Sequence, residues 1–199
     1  MAYTIEEEQE INELKAWWKE NYKSLVLALI LGVGGVSGWN FWQAQQVAKK
    51  QELSAQYEQL IYSRQDQTKV DEFVKVNNKT AYATLLLLDQ AKKSIDKQDF
   101  AQAESQLQEA LKQAPDEILS SISALRLATV QFQLGQFDVS LHTLSQVKNA
   151  TWNSAKALLT GDIQLARGDK AAAKISYEQA KENATALEQQ WIQVRLNNL

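Results

Sequence analysis

The chain has 199 residues, of which 45% are hydrophobic and 23% charged, a composition that excludes an intrinsically disordered protein. It has no Cys and a single His, His142, which excludes disulfides, Cys-ligated metals and sites built on a pair of His ligands. The net charge of −3 belongs to residues 1–23, and the neutral remainder lacks the basic surface that nucleic acid requires.

The residue types favour helices throughout the chain. Ala, Leu, Gln, Lys and Glu dominate, and no stretch alternates Val, Ile, Thr and Tyr as a half-buried strand would. We therefore predict an all-α fold.

Residues 1–22 form an acidic leader. Its Ile11, Leu14 and Trp18 recur at helical spacing, so we expect a helix that lies on the cytoplasmic side of a membrane.

The segment from Ser24 to Ala48 carries no charged side chain, and its most apolar part is Leu25 to Val36. A helix over residues 18–39 is roughly 31 Å long, which matches the hydrocarbon thickness of a bilayer. Aromatic residues flank both ends, as is typical of the two membrane interfaces, namely Trp17, Trp18, Tyr22, Trp39, Phe41 and Trp42. This pattern predicts a transmembrane anchor at residues 23–43.

A buried core helix and a cleavable signal peptide both fit the apolar run less well. A core helix of a soluble protein would have a polar face, which Leu25–Val36 lacks. A cleavable signal peptide would have a short basic leader and small residues at its end, whereas six Glu precede this run and Trp39 to Trp42 follow it. We therefore predict an uncleaved anchor.

Basic residues near the anchor predict its orientation. Lys15, Lys19 and Lys23 precede it, whereas only Lys49 and Lys50 follow closely. The excess favours a cytoplasmic N-terminus and a C-terminal body across the membrane.

Small residues one helical turn apart could let a second membrane helix approach closely. They are Ala28, Gly32, Gly34 and Gly38. Glycine is also common in membrane helices that have no such partner, so the sequence leaves both interpretations open.

Residues 44–79 are predicted to form a helical stalk and the first helices of the body. Leu53, Tyr57, Leu60 and Ile61 follow helical spacing, and a short second helix is expected from Val70 to Val76.

A repeat begins near residue 80. Turn-like segments centre on Gln98, Gly135 and Gly168, with spacings of 37 and 33 residues. These spacings resemble the 34-residue tetratricopeptide unit, a pair of helices that stacks into a solenoid. We predict repeats at about 80–115, 116–149 and 150–183, followed by a capping helix at 184–199.

Small and bulky residues recur around each predicted turn. Ala91, Ala128 and Gly161 stand seven positions before the three turns. The second helices carry a small–bulky–small rhythm, which is degenerate in the middle repeat: Ala103, Leu107 and Ala110; Ser140, Leu144 and Val147; Ala173, Tyr177 and Ala180. A small side chain on one helix admits a bulky one from its neighbour.

In tetratricopeptide arrays the first helices line a concave groove. The family register places twelve residues there, nine of them apolar, and we take eight as the candidate site for a partner or client: Leu85, Leu88, Ile95, Ile122, Leu125, Phe132, Leu158 and Leu165. Such a groove suits an amphipathic helix or a hydrophobic unfolded segment. The C-terminal helix of the chain, through Trp191, could equally fill it.

No catalytic motif is present in the sequence. A phosphate-binding glycine loop, a nucleotide-binding glycine run and a zinc-binding His-Glu-x-x-His are all missing, and His142 is expected on a helix surface. We therefore expect no enzyme activity, no cofactor, no metal and no small-molecule substrate.

Several stretches together resemble the bacterial YfgM family. They are the acidic leader, "LILGVGGVSGWNFW", "NKTAYATLLLLDQAKK", "ALRLATVQFQLGQFDVSLHTL" and the terminal "RLNNL". The resemblance implies a single-pass protein of the inner membrane with a tetratricopeptide-like periplasmic domain. It further implies an ancillary subunit of the SecYEG protein-conducting channel that works with the periplasmic chaperone PpiD on newly exported proteins.

Two functions follow as expectations from these observations. The first is a tethered interaction module that contacts unfolded exported chains near the channel. The second is a structural scaffold that joins inner-membrane complexes without touching clients.

Overall fold

The computed structural model describes residues 5–62 and 67–199, and in these two ranges the regular structure is entirely helical. The predicted all-α class is confirmed. The helices are α1 (Ile5–Tyr62), α2 (Gln67–Val76), α3 (Ala81–Asp96), α4 (Phe100–Gln113), α5 (Glu117–Gln133), α6 (Phe137–Leu144), α7 (Asn153–Ala166), α8 (Lys170–Glu182) and α9 (Ala186–Asn197). A short 3₁₀ turn at Ala150–Trp152 precedes α7.

The chain divides into two compact units, Met1–Ala55 and Gln56–Leu199. The first four residues of the predicted leader lie outside the described residues. The separation of leader, anchor and stalk stays a prediction, because α1 is one continuous helix from Ile5 to Tyr62.

Within the described part of the first unit, no residue covers the apolar run of α1. Its hydrophobic side chains are exposed, with Leu29 at 68% and Leu31 at 67%, and the 18-residue window of highest hydropathy is 0% buried. Such a helix is stable in hydrocarbon, where its apolar side chains need no other cover. The Trp39 and Trp42 rings contact each other at one end of the run, with centroids 5.2 Å apart and planes tilted by 36°.

Three helical hairpins, α3–α4, α5–α6 and α7–α8, form most of the second unit. The predicted small residues Ala91 and Ala128 are buried where the helices of a hairpin meet. In α7–α8 the approach is so close that a β-carbon added to Gly161 would lie 2.5 Å from the Tyr177 ring. Glycine at this position therefore makes room for the tyrosine.

The hairpin turns share one geometry. Gln98, Gly135 and Gly168 have φ of 62°, 73° and 86°, the left-handed conformation that ends a helix. In each turn the residue that follows donates its backbone N–H to the carbonyl of the residue five positions earlier in the chain. In the third turn, for example, Asp169 donates to Gln164 at 2.9 Å. Only the first turn uses a residue other than glycine at this position, which costs about 1 kcal/mol.

A polar clasp across each hairpin recurs at the same distance from the turn. It is a hydrogen bond between two side chains, one four positions before the turn residue and the other eight positions after it. The three pairs and their distances are Ser94–Gln106 at 2.9 Å, Gln131–Thr143 at 2.7 Å and Gln164–Ser176 at 2.7 Å. A hydrogen bond depends on direction as well as distance, so these clasps fix how the two helices of a hairpin are aligned along their length.

The hairpins stack through both of their helices: α5 packs against α4 and also contacts α3, and α7 contacts both α5 and α6. One buried cluster joins the second and third hairpins: Ala124, Ala128, Leu144, Val147, Leu159 and Ile163. Between these hairpins the buried Ser121 hydroxyl accepts the backbone N–H groups of Lys148 and Asn149 at 3.2 and 3.1 Å. The tetratricopeptide-like stack of hairpins is thus confirmed.

The helix α9 closes the stack. It begins with a capping box in which Thr185 and Glu188 each accept from the other's backbone, and its Ile192 is buried in a second cluster with Ala173, Tyr177 and Ala180 of α8. The predicted C-terminal cap is therefore present.

Replacing Gly161 with Ala tests the close approach. At an exposed helix position, replacing Gly with Ala raises the free energy of unfolding by about 1 kcal/mol. Here the added β-carbon would meet the Tyr177 ring, so we expect the free energy of unfolding to fall by about 1–3 kcal/mol. The measurement is chemical unfolding of the purified chain. In a Tyr177→Leu background the same change should cost much less, and a stabilising Gly161→Ala in the wild-type background would contradict the account.

Candidate interaction surface

The predicted groove residues of the first hairpin differ in exposure. Leu85 is 37% exposed on α3, and Ile95 is partly exposed near its end. Leu88, however, is only 3% exposed and belongs to the core. A partner could reach Leu85 and Ile95 in this conformation but not Leu88.

In the second hairpin all three predicted residues reach the surface in part. Ile122, Leu125 and Phe132 are partly buried, and Leu125 and Phe132 also pack against the cluster that joins the hairpins. The Phe132 ring contacts that of Phe137 across the turn, with centroids 5.9 Å apart. These side chains therefore support the fold and present apolar surface at once.

Sequence reasoning missed Ile118, which is 60% exposed in the first turn of α5. Ile118, Ile122 and Leu125 stand at i, i+4 and i+7, so they form one apolar line along α5, which we call the α5 stripe. The exposed Arg126 follows Ile122 by one turn on the same face. The spacing is visible in the sequence, but the family register assigns Ile122 as the first groove residue of the second hairpin and does not include Ile118.

The third-hairpin residues are covered by the chain itself. Leu158 and Leu165 pack against the cluster that contains Ile192 of α9, together with Leu196 and Leu199. Trp191, through which the C-terminal helix was one of the two occupants of the groove that the sequence left open, is 62% exposed instead. The C-terminal helix thus covers this end of the inner surface through Ile192 rather than through Trp191.

A three-helix polar link holds α9 in place. Asp162 of α7 accepts a hydrogen bond from the Tyr177 hydroxyl at 2.8 Å and another from Arg195 Nε at 2.9 Å. Burial, and next the hydrogen bond to Asp162, raise the pKa of Tyr177 above its ordinary value of 10.0. The phenol therefore keeps its proton and stays a donor to the carboxylate.

The predicted helix-packing face of α1 is open along its length. Ala28 is exposed, and a β-carbon added to Gly32, Gly34 or Gly38 would meet nothing within 4 Å. No described residue of the chain packs on this face.

The described residues contain no group of three or more His, Cys, Asp or Glu side chains placed to hold a metal ion. His142 lies exposed on α6, as expected for a surface residue. What the second unit offers is apolar surface on the first helices and on α9.

Comparison with known proteins places the chain among helical-repeat proteins. Residues 15–199 match the model of the tetratricopeptide repeat-like domain family. A relative from Aggregatibacter actinomycetemcomitans and another from Haemophilus influenzae are each 57% identical over the full length of both chains. A third from Escherichia coli is 33% identical over 97% of this chain and 96% of its own. All three are named ancillary SecYEG translocon subunits, and no solved structure matches the chain.

Removing the Arg195 side chain should loosen α9. Arg195→Leu breaks the ion pair with Asp162, in which both side chains are partly exposed, so we expect a cost of about 0.5–1 kcal/mol and roughly 2- to 5-fold faster amide exchange in α9. Arg167→Leu is the matched control, because it breaks the Arg167–Asp138 ion pair between α6 and α7. Equal acceleration in both variants, or none in Arg195→Leu, would show that the link does not hold α9.

The raised pKa of Tyr177 predicts a fall in stability at alkaline pH. Above about pH 10 the unfolded chain releases this proton before the native chain does, so the free energy of unfolding should drop by about 1 kcal/mol by about pH 11. Tyr177→Phe should remove this part of the drop, whereas Tyr62→Phe, at an 86% exposed position, should not. Urea titrations below about pH 10 and at about pH 11 measure this drop in the free energy of unfolding. An identical pH dependence in wild type and Tyr177→Phe would refute the assignment.

Proposed function

The chain belongs to the tetratricopeptide repeat-like family whose named relatives are ancillary SecYEG translocon subunits, and we propose that it is a membrane-anchored, non-catalytic subunit of that translocon. Full-length identity of 57% to two such relatives supports the assignment. A long apolar helix with no protein cover supports the anchor.

We further propose that α1 crosses the bacterial inner membrane with its N-terminus in the cytoplasm. The support is the excess of Lys15, Lys19 and Lys23 before the apolar run over Lys49 and Lys50 after it. The helical hairpins would then lie in the periplasm, where exported polypeptides emerge.

The α5 stripe carries the proposal for what this subunit does there. Ile118 is 60% exposed beside the partly exposed Ile122 and Leu125, on the helix that lies between α3 and α7. Exposed aliphatic side chains in a row favour contact with apolar segments of another chain. We propose that hydrophobic stretches of newly exported proteins bind here, with PpiD as the fixed partner that the YfgM resemblance implies.

Tethering makes weak binding sufficient. A surface held beside the exit of a channel meets the emerging chain at a high effective concentration, on the order of millimolar for a short connection. The few partly exposed side chains of the α5 stripe then need no high intrinsic affinity, and release is correspondingly fast.

A purely structural scaffold is the second candidate. It is favoured by α9, which covers Leu158 and Leu165 and so restricts the open part of the inner surface to the first two hairpins. In that case fixed membrane partners, rather than clients, would contact the described helices.

Site-specific crosslinking separates these two functions. A photoreactive residue at Ile118 or Leu125 should crosslink to a range of unfolded exported proteins, because Ile118 is exposed and Leu125 partly exposed on α5. The control is the same residue at Ile175, which is 58% exposed on α8 and should capture few of them. Crosslinks from α5 to one or two fixed proteins alone would support the scaffold and refute client binding.

A further inference from the structure

Trp191 of α9 is a large aromatic side chain that the fold leaves in water. It is 62% exposed, on a helix in which Ile192 is the one buried residue. A single exposed apolar side chain is normal on a protein surface, so its meaning depends on the residues that stand beside it.

Helix α9 keeps the register of the hairpins before it. Ile192 and Leu196 pack with the buried cluster of α8. Leu159 and Ile163, thirty-three residues earlier, belong in the same way to the cluster that contains Leu144 of α6. Helix α9 therefore stands in the stack as a first helix does.

A direct contact shows that residues thirty-three positions apart are neighbours at this end of the stack. Arg195 Nε donates to the Asp162 carboxylate at 2.9 Å, and these two residues are thirty-three positions apart. Arg195 follows Trp191 by one helical turn, and Asp162 follows Leu158 by one turn. Trp191 is therefore the neighbour of Leu158 in the stack.

The same shift continues the row to α5, where Leu125 stands thirty-three residues before Leu158. We call Leu125, Leu158 and Trp191 the cross-helix row. Leu125 and Leu158 are partly exposed, so apolar surface continues across three helices. Because Leu125 also belongs to the α5 stripe, the row begins at the surface proposed above for clients.

The charged side chains one turn from Leu158 and Trp191 are already engaged within the chain. Asp162 accepts from Arg195, and Glu188 accepts from the backbone N–H and the hydroxyl of Thr185. An occupant of the row therefore meets compensated charges and needs apolar side chains rather than a complementary charge.

The spacing of the row selects the conformation of an occupant. Packed helices lie about 8–10 Å apart, so successive side chains of the row are separated by about that distance. A polyproline II segment repeats every three residues and advances about 9 Å in doing so, which places side chains i, i+3 and i+6 on one side. In a β-strand the side chains on one face are about 7 Å apart, which is too short for one contact per helix.

We propose that Trp191 is a further contact of the client site, and that the cross-helix row binds an extended apolar segment through side chains i, i+3 and i+6. This inference rests on the client binding proposed for the α5 stripe, and it adds the conformation and the side-chain spacing of the bound segment. Polyproline II is a major conformer of unfolded chains, so an emerging polypeptide needs little rearrangement to bind. Trp191 supplies the largest contact, as aromatic residues do at interfaces.

Crosslinking tests the place of Trp191 in the client site. A photoreactive residue at Trp191 should capture the same range of unfolded exported proteins as one at Ile118, whereas Ile175 on α8 should capture few. Capture at Ile118 but not at Trp191, or only one or two fixed proteins at Trp191, would overturn this inference and leave the proposed function standing. Capture of exported proteins at neither position would overturn both.

Peptides test the spacing. The probe is a labelled peptide of Ser and Gly with three Leu at every third position, and its control has three Leu at every second position. We expect the probe to bind the full-length chain in mild detergent about fivefold more tightly than the control, by fluorescence anisotropy. Trp191→Ala should remove this preference, and Ile175→Ala should keep it. Both positions are more than half exposed, so the fold should survive, which circular dichroism checks.

Three results of the peptide experiment would overturn the inference. They are equal affinity for probe and control, a preference that persists in Trp191→Ala, and no saturable binding of either peptide up to about 1 mM. A dimer of the chain in sedimentation that Trp191→Ala dissociates would also overturn it, because a second copy of the chain would then occupy the row.

Discussion

The second unit depends on how closely the two helices of each hairpin approach. In α7–α8 the Tyr177 ring occupies the space that a β-carbon on Gly161 would fill, and the small buried residues Ala91 and Ala128 stand at the equivalent positions of the other hairpins. Once a small residue sets the helix separation, the polar clasps fix the register and the left-handed turns set the reversal. Stacking then follows, since each first helix is left with a face that the next hairpin covers.

This arrangement accounts for where apolar surface is left over. The middle first helix, α5, buries one face against its own hairpin and the neighbouring ones, and its remaining face carries the α5 stripe. At the end of the stack, α9 leaves Leu187, Trp191 and Val194 exposed to solvent. Both surfaces arise from the same repeat, and neither is accompanied by a metal-binding cluster in the described part of the chain.

The sequence predicted the hairpins well because their packing depends on residue size, which is visible at fixed spacing: Gly161 and Tyr177 could be paired by pattern alone. It predicted surface exposure less well. Leu88 is buried although its counterparts Leu125 and Leu158 are partly exposed, because exposure depends on the neighbours that tertiary packing supplies. In α9, apolar residues occur on several faces, so periodicity could not decide that Ile192 would face inward and Trp191 outward. The Asp162–Arg195 pair joins residues 33 apart in sequence, a contact that local spacing does not reveal.

The central claim is that an apolar helix holds a stack of helical hairpins at the protein-conducting channel, where surface contact is its function. Its most direct test is purification of the full-length chain from bacterial membranes in mild detergent, followed by mass spectrometry of the proteins that remain bound. The account predicts recovery of the SecYEG channel in stable proportion with the chain. Recovery of the chain without the channel, or extraction of the chain by an alkaline wash that leaves integral proteins in the membrane, would contradict it.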